Sequence, residues 1–489
     1  MSNLNNRSVW PGLATLILLI VTTVSGQPET TKPGIGAKRP NILFVLLDNI
    51  GKDWFRCYGS QENVTPNIDR LAQTGVKFRS FYVTPVCSTT RVALLTGRYP
   101  FRTGWHTHHD PAIYGGGYFD WNRETSVARV LQKSGYRTFI SGKWQINDLF
   151  DPEQKDALEK HGFDEHCIFP EGKKEHPAHK KRYWDPYVIE NGQQLETEGQ
   201  YGPEIFTNKL IDFMSRMAKQ DDQPFFAYYS AILTHISVGN TPDNSERKLS
   251  SREQFAGMAR YADKLVGRMV TALEDLGLRD DTILIIATDN GTDNGIYHGY
   301  EHLGGRVSGR KIDVGSTMKP DEQGYYNLSE FNVNTPLIIN CPNRISGGRE
   351  SDQLVDASDI FPTLVSLSNA EISGSLELDG HSLAPHLLGQ DVDTPRRTWS
   401  FTQYYQIRVI RDHRFKLFSN GPFFDLSEDP MELHDLQNSQ RLSQDDTTHL
   451  AHQRLRNILQ SLPPNAQLPW EFQSISARQI KAAQASQTR

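Results

Sequence analysis

A chain of 489 residues is too long for one small core and predicts a large domain accompanied by a smaller one. Its 37% hydrophobic and 22% charged residues exclude a disordered chain. The net charge of −6, with no basic block dominating a domain, gives no reason to expect a nucleic-acid partner; a polyanionic substrate stays compatible, because the charge of a pocket decides that.

Arg7 precedes an apolar run over residues 13–24 that ends in Val24-Ser25-Gly26. We read 1–26 as a secretory signal peptide and 27–39 as a linker. The run falls short of the ~20 apolar residues that span a bilayer, and no later segment does better. The mature protein is expected to be exported, periplasmic or extracellular, with no stable membrane span. Of four cysteines (Cys57, Cys87, Cys167 and Cys341), at most one disulfide can form if Cys87 is modified.

Residues 41–47 (NILFVLL) form the first continuous apolar run. Similar runs follow at 136–140, 225–230, 282–287 and 336–340. Strands apolar on both faces predict a mostly parallel sheet covered by helices. The helical patterns lie between them, at 65–75, 126–134, 204–218 and 255–276. The expected fold is α/β, with a catalytic domain over 40–395. Short strands at 399–403, 407–411, 415–418 and 423–424 and a helix at 449–459 predict a small antiparallel subdomain over 396–465, followed by a polar tail over 466–489.

Two of the strands run into the same dipeptide, Asp48-Asn49 and Asp289-Asn290. Ligands in open parallel sheets bind beyond the carboxyl ends of strands. Two carboxylates and two amide oxygens delivered there make a hard oxygen site, better suited to calcium than to zinc. Between them, Cys87 opens a short helix stopped by Gly97, and Arg91 lies one turn on, on the same face. A helix N-terminus and an arginine favour an anion. These residues fit an anionic-substrate or thiolate site, or a buried cysteine with a surface arginine.

Cys87-x-x-x-Arg91 followed by Leu95-Thr96-Gly97-Arg98 resembles the signature of the formylglycine-dependent sulfatases, in the alkaline phosphatase superfamily. The motifs around it agree in order: Arg39-Pro40-Asn41, Thr65-Pro66-Asn67, Gly142-Lys143-Trp144, Thr288-Asp289-Asn290-Gly291, and Phe424-Asp425-Leu426 with Asp429-Pro430. The match runs over about residues 39 to 436. It implies an alkaline-phosphatase-like sheet sandwiched by helices, with a small C-terminal antiparallel sheet and helix. It also implies sulfate-ester hydrolysis on a sulfated small molecule or glycan.

On that resemblance Cys87 is oxidised to formylglycine by a formylglycine-generating enzyme. Its hydrate then attacks sulfur. One calcium ion is held by Asp48, Asn49, Asp289 and Asn290. Arg91 holds the hydrate, Lys143 binds sulfate as a point charge, and His235 binds sulfate or protonates the leaving oxygen. Four positions depart from the family pattern. Asn49 stands where an aspartate is usual. Gln145 replaces a histidine, so it can bind substrate by donating a hydrogen bond but cannot shuttle a proton. Thr89 replaces proline or alanine in the modification signal. Lys311 and Lys319 are both candidates for a second sulfate-binding lysine. A phospho- or phosphonate-ester hydrolase and a catalytically degenerate sulfated-ligand-binding protein are the competing readings.

His106, His108 and His109, with Trp105 and Trp121 nearby, are expected to line the substrate mouth, where aromatics stack on sugar rings. His161, His166, His176 and His179 fall in a charged stretch expected to be a solvated surface.

Overall fold

The computed structural model describes residues 38–62, 64–107, 118–171, 176, 181–220, 222–235, 237–292, 296, 328–390 and 397–467. The expected signal peptide, His108, His109, His179, Lys311, Lys319 and the expected tail from 468 lie outside the described residues.

The chain builds one large mixed sheet from β1 (Asn41–Leu47), β2 (Val76–Tyr82), β3 (Arg137–Lys143), β4 (Glu165–Phe169), β5 (Ile189–Glu190), β6 (Gln193–Gln194), β7 (Phe225–Ser230), β8 (Thr282–Thr288), β9 (Leu337–Asn340) and β10 (Arg349–Asp356). Their order is β10-β2-β9-β8-β1-β7-β3-β4-β5-β6. β1 pairs parallel with β7 and β8, and β3 parallel with β7 and β4. These strands therefore end at one edge. β2 joins them in direction, because it and β8 both pair antiparallel with β9.

β1 explains why the sheet has two covered faces. Ile42, Phe44 and Leu46 point into one apolar cluster, and Leu43, Val45 and Leu47 into another. The first is filled by α2 (Cys87–Thr96) and the Val127–Lys133 and Ile360–Ser368 helices. The second is filled by α1 (Pro66–Thr74) and the Gly202–Met217 and Ser251–Asp275 helices. Each large apolar side chain so buried contributes roughly 1.5–3 kcal/mol.

A separate antiparallel sheet follows: β11 (Ser400–Tyr404), β12 (Ile407–Arg411), β13 (Phe415–Phe418) and β14 (Phe423–Asp425), closed by the Asp446–Ser461 helix. It is tied to the segment before β9 by buried charges. Lys416 Nζ lies 2.7 Å from Glu432 and 3.2 Å from Glu330, and donates to Leu328 O at 2.8 Å.

Apolar runs located β1, β3, β7, β8 and β9. They did not locate β2, whose VKFRSFY alternates, or β10, whose RESDQLVD is polar and bulged between Ser351 and Leu354. The run at 336–340 is β9, and it is antiparallel, so the sheet is mixed around its parallel centre. Among the described residues no helix is long and apolar enough to cross a membrane. All four cysteines are free thiols.

Two expectations about aromatic and histidine clusters are corrected. Trp105 packs edge-on against Phe119 inside the core and cannot line a mouth. His161 and His166 are buried rather than solvated. His161 stacks on Phe119 at 4.1 Å and its Nε2 meets Phe119 O at 2.9 Å. Burial pushes its pKa down to about 3, and that of His166 down to about 4.

Candidate active site

Five chain segments leave the same edge of the sheet and converge. β1 delivers Asp48 and Asn49, β8 delivers Asp289 and Asn290, and β3 ends in Lys143. β7 runs on to His235, and β2 leads into the turn that starts α2 at Cys87. Backbone bonds lock the central ends together: Asp48 N donates to Leu233 O at 2.8 Å and Asp289 N to Leu47 O at 3.1 Å. β3 approaches β7 so closely at Gly142 that a Cβ there would sit 1.9 Å from Ser230 O. Glycine, with φ of +102°, is what lets the next residue, Lys143, enter the site.

Cys87 is the first residue of α2, and no side chain caps that helix. The Lys143 ammonium bridges the cysteine and the first strand end, with Nζ 3.4 Å from Cys87 Sγ and 2.9 Å from Asp48 Oδ2. Arg91 is not a surface residue; it is 1% exposed and lies among the same groups. Its Nη2 is 2.7 Å from Asp289 Oδ2 and 3.5 Å from Asp48 Oδ2. Its Nη1 donates to Ser230 Oγ and, at 3.4 Å, to Lys143 O. Ser230 Oγ in turn donates to Lys143 O at 2.6 Å.

Burial pushes the Cys87 thiol up to about 12, against the pull of Lys143 and Arg91. As an unmodified cysteine it is a neutral thiol near pH 7, which removes the thiolate reading of this position. Burial alone would lower Lys143. Asp48, the cysteine and Glu171 outweigh it and hold the ammonium above its ordinary value. Burial raises Asp289 to about 6, with Asp48 adding repulsion and Arg91 and Lys143 opposing.

The Asp-Asn pairs meet. Asn49 N donates to Asp289 Oδ1 at 3.1 Å, and Asn290 Nδ2 to Asn49 Oδ1 at 2.8 Å. Asp48 Oδ1 and Asn290 Oδ1 are buried with no hydrogen-bond partner among the described residues. Orphaned oxygens on an all-oxygen donor set fit a hard divalent cation. Asp48, Cys87 and His235 also bring ligand atoms within 4.8 Å of one another. That mixed set would suit a softer metal, but a neutral thiol with an ammonium beside it is a poor ligand. The oxygen set is the better fit.

Gln145 is fully buried at φ 70°, and neither of its amide atoms has a hydrogen-bond partner among the described residues. The backbone of the His235 loop is held by Tyr183, whose hydroxyl donates to His235 O at 2.5 Å and to Ile232 O at 3.1 Å. Thr89 fits its place, with its hydroxyl on Val86 O at 2.9 Å.

A sulfatase family model matches residues 40–370, covering all five of these strand ends. The chain belongs to the sulfatase family. It is a sulfuric ester hydrolase. A second model, the C-terminal region of N-sulphoglucosamine sulphohydrolase, matches this sulfatase over 322–461. It is 30% identical to N-acetylgalactosamine-6-sulfatase of Canis lupus familiaris over 403 residues, covering 77% of this chain and 71% of that one. It is 29% identical to arylsulfatase A of Homo sapiens over 411 residues, covering 79% and 76%. In fold it is similar to Ps i-CgsB, with a TM-score of 0.71 and 20% identity over 92% of this chain and 98% of that one. It is also similar to BT4656, solved with its substrate D-glucosamine-2-N,6-O-disulfate, with a TM-score of 0.66 and 20% identity over 88% and 100%.

Asp48, Asn49, Cys87, Arg91, Lys143, Asp289 and Asn290 thus come together as a connected set, with a ring nitrogen of His235 within 4.8 Å of ligand atoms of Asp48 and Cys87. Sequence reasoning missed Ser230 and Glu171. Ser230 ends an apolar strand and carries no motif. Glu171 lies in a charged stretch, and only the pairing of β4 with β3 brings it to the site.

Proposed function

We propose that this sulfatase cleaves a sulfate ester on a sulfated carbohydrate, with Cys87 converted to formylglycine and one calcium ion held by Asp48, Asn49, Asp289 and Asn290. The observation that carries this reading is the placement of Cys87 on the first turn of α2, in contact with Lys143, while its own thiol is too basic to act as a thiolate. Conversion to an aldehyde, which adds water to become a gem-diol, would supply in one of its hydroxyls the nucleophile that the thiol does not. Calcium, when bound, supplies a Lewis acid beside the reacting sulfate.

The remaining work falls to this chain's side chains. Lys143 has three donors; two are directed at Asp48 and residue 87, which leaves one for a sulfate oxygen. Arg91 and Lys143 together balance the two aspartates, and Arg91 fixes the end of β3 through Ser230. His235, with a ring nitrogen within 4.8 Å of ligand atoms of Asp48 and Cys87, gives a proton to the departing alkoxide in this reading. Gln145 can donate to a sulfate oxygen but carries no transferable proton, so that role shifts to His235 or another group.

The carbohydrate assignment is supported by the relatives named above. Export after signal-peptide cleavage, maturation by a formylglycine-generating enzyme, and division into catalytic (40–395) and C-terminal (396–465) parts complete the reading. The test is turnover of an aryl sulfate by protein made together with the maturation enzyme. Activity should require calcium and return when calcium is restored after chelation. Cys87→Ala should lose roughly 10³-fold or more in kcat. Equal turnover by Cys87→Ala, or none by the parent on any sulfate ester, would overturn it.

A further inference from the structure

β7 and β8 flank β1 in the sheet, and the segment after each sends one threonine hydroxyl onto the loop that follows β1. From the β7 side comes Thr234, which is fully buried. Its Oγ1 donates between two carbonyls, 3.2 Å from Asp48 O and 3.3 Å from Asn49 O, and its backbone N–H donates to Asp48 O at 2.6 Å. From the β8 side comes Thr292, 1% exposed. Its Oγ1 accepts from Gly51 N at 2.9 Å and donates to Asp53 Oδ1 at 3.3 Å. The Gly51 backbone packs directly on this link: a Cβ there would lie 2.5 Å from Asp53 Oδ1 and 3.3 Å from Thr292 N.

The loop so gripped carries Asp48 and Asn49. Asn49 takes a left-handed φ of 57°, which side-chain-bearing residues adopt sparingly, so contacts from outside the loop help to hold its shape. Two other bonds join it to the loop after β8: Asn49 N to Asp289 Oδ1 at 3.1 Å, and Asn290 Nδ2 to Asn49 Oδ1 at 2.8 Å. Both end on side-chain oxygens of the metal-binding candidates, where a cation would compete for them. The threonine hydroxyls bond to neither of those oxygens, so a cation does not compete with them. The partnerless buried oxygens Asp48 Oδ1 and Asn290 Oδ1 stand one on each loop, so their separation depends on how the two loops are held.

We propose that Thr234 and Thr292 are positioning residues, which preorganise the Asp48-Asn49 and Asp289-Asn290 loops for the cation. The inference rests on the calcium reading above. Calcium affinity follows the charge of the ligand set and the rigidity of the site. Two carboxylates and two neutral amides supply less charge than a set with a third carboxylate, which gives rigidity a larger share. Valine keeps the shape of threonine without the hydroxyl. At 292 it leaves the buried Gly51 N–H without its acceptor, and at 234 it removes the hydroxyl's bond to the Asp48 and Asn49 carbonyls. The ion must then order the loops itself, which weakens binding.

The experiment is a calorimetric titration of calcium chloride into the chelator-treated full chain. Thr292→Val and Thr234→Val should each weaken calcium binding about tenfold, and Thr292→Ser and Thr234→Ser, which keep the hydroxyl, about threefold at most. Rescue by serine separates the hydrogen bond from packing. Thr234→Val stands in if Thr292→Val does not fold. Affinity unchanged in Thr292→Val, or in Thr234→Val where it stands in, overturns the inference and leaves the calcium reading intact. A parent that binds no calcium overturns the calcium reading, and the inference with it.

Discussion

Arg91 shows how much of the site hangs on one side chain. Its guanidinium sits between Asp48 and Asp289 and also reaches Ser230 and the Lys143 carbonyl. Burial disfavours its charge, and the two aspartates more than restore it. Arg91→Ala should leave Asp289 buried without its arginine partner, facing Asp48, which keeps only Lys143. We expect a loss of about 3–5 kcal/mol of folding stability, read from urea unfolding of the calcium-free protein. Arg91→Lys should lose less, because the charge survives and only the planar fork is lost. A loss below about 1 kcal/mol for Arg91→Ala would mean that the aspartates do not depend on it. The spacing of Cys87 and Arg91 was legible in the sequence, because one helical turn suffices to put both on one face. Ser230 and Glu171 were not, because their places follow from strand pairing across distant segments.

At the scale of elements, the strand ends that carry the chemistry were the most legible part of the chain. β1, β7 and β8 are apolar on both faces, and the residues just past β1 and β8 are the metal-binding candidates. Elements with one exposed face, or with polar sequence, escaped: β2 and β10 pair with each other at the sheet's edge. His161, which caps the Ala157–Lys160 helix, and His166, inside β4, are buried although their neighbourhood in sequence is charged, because that neighbourhood does not show a core position in space. That burial has a pH consequence. His161 and His166 sit below their ordinary 6.5 in the folded state, at about 3 and about 4. Below pH 6.5 the unfolded chain takes up protons that the folded chain refuses, so stability falls as the pH drops from 6.5 toward 4. Each histidine contributes about 1.4 kcal/mol per pH unit in that window. His161→Gln should remove one such share, seen as a shallower fall of the urea midpoint between about pH 6 and 4. Parallel curves for parent and variant would show that His161 titrates normally in the fold.

The whole molecule places five strand ends at one edge and turns a short helix toward them, so that its first residue, Cys87, meets Lys143 and stands beside the two Asp-Asn pairs. The order of motifs along the chain conveyed that arrangement. It did not convey the second face of each contact: the hydrogen bond from the Asn290 side-chain amide to that of Asn49, the Ser230 bridge, or the buried Lys416 network between the two sheets. The account turns on the chemical state of residue 87. The most direct measurement is the mass of the proteolytic peptide containing residue 87, from protein made in its native host, with and without an aldehyde-reactive probe. The account predicts formylglycine at residue 87, labelled by the probe, in protein that turns over aryl sulfate. Unmodified cysteine throughout, in a preparation that still cleaves sulfate esters, would contradict it.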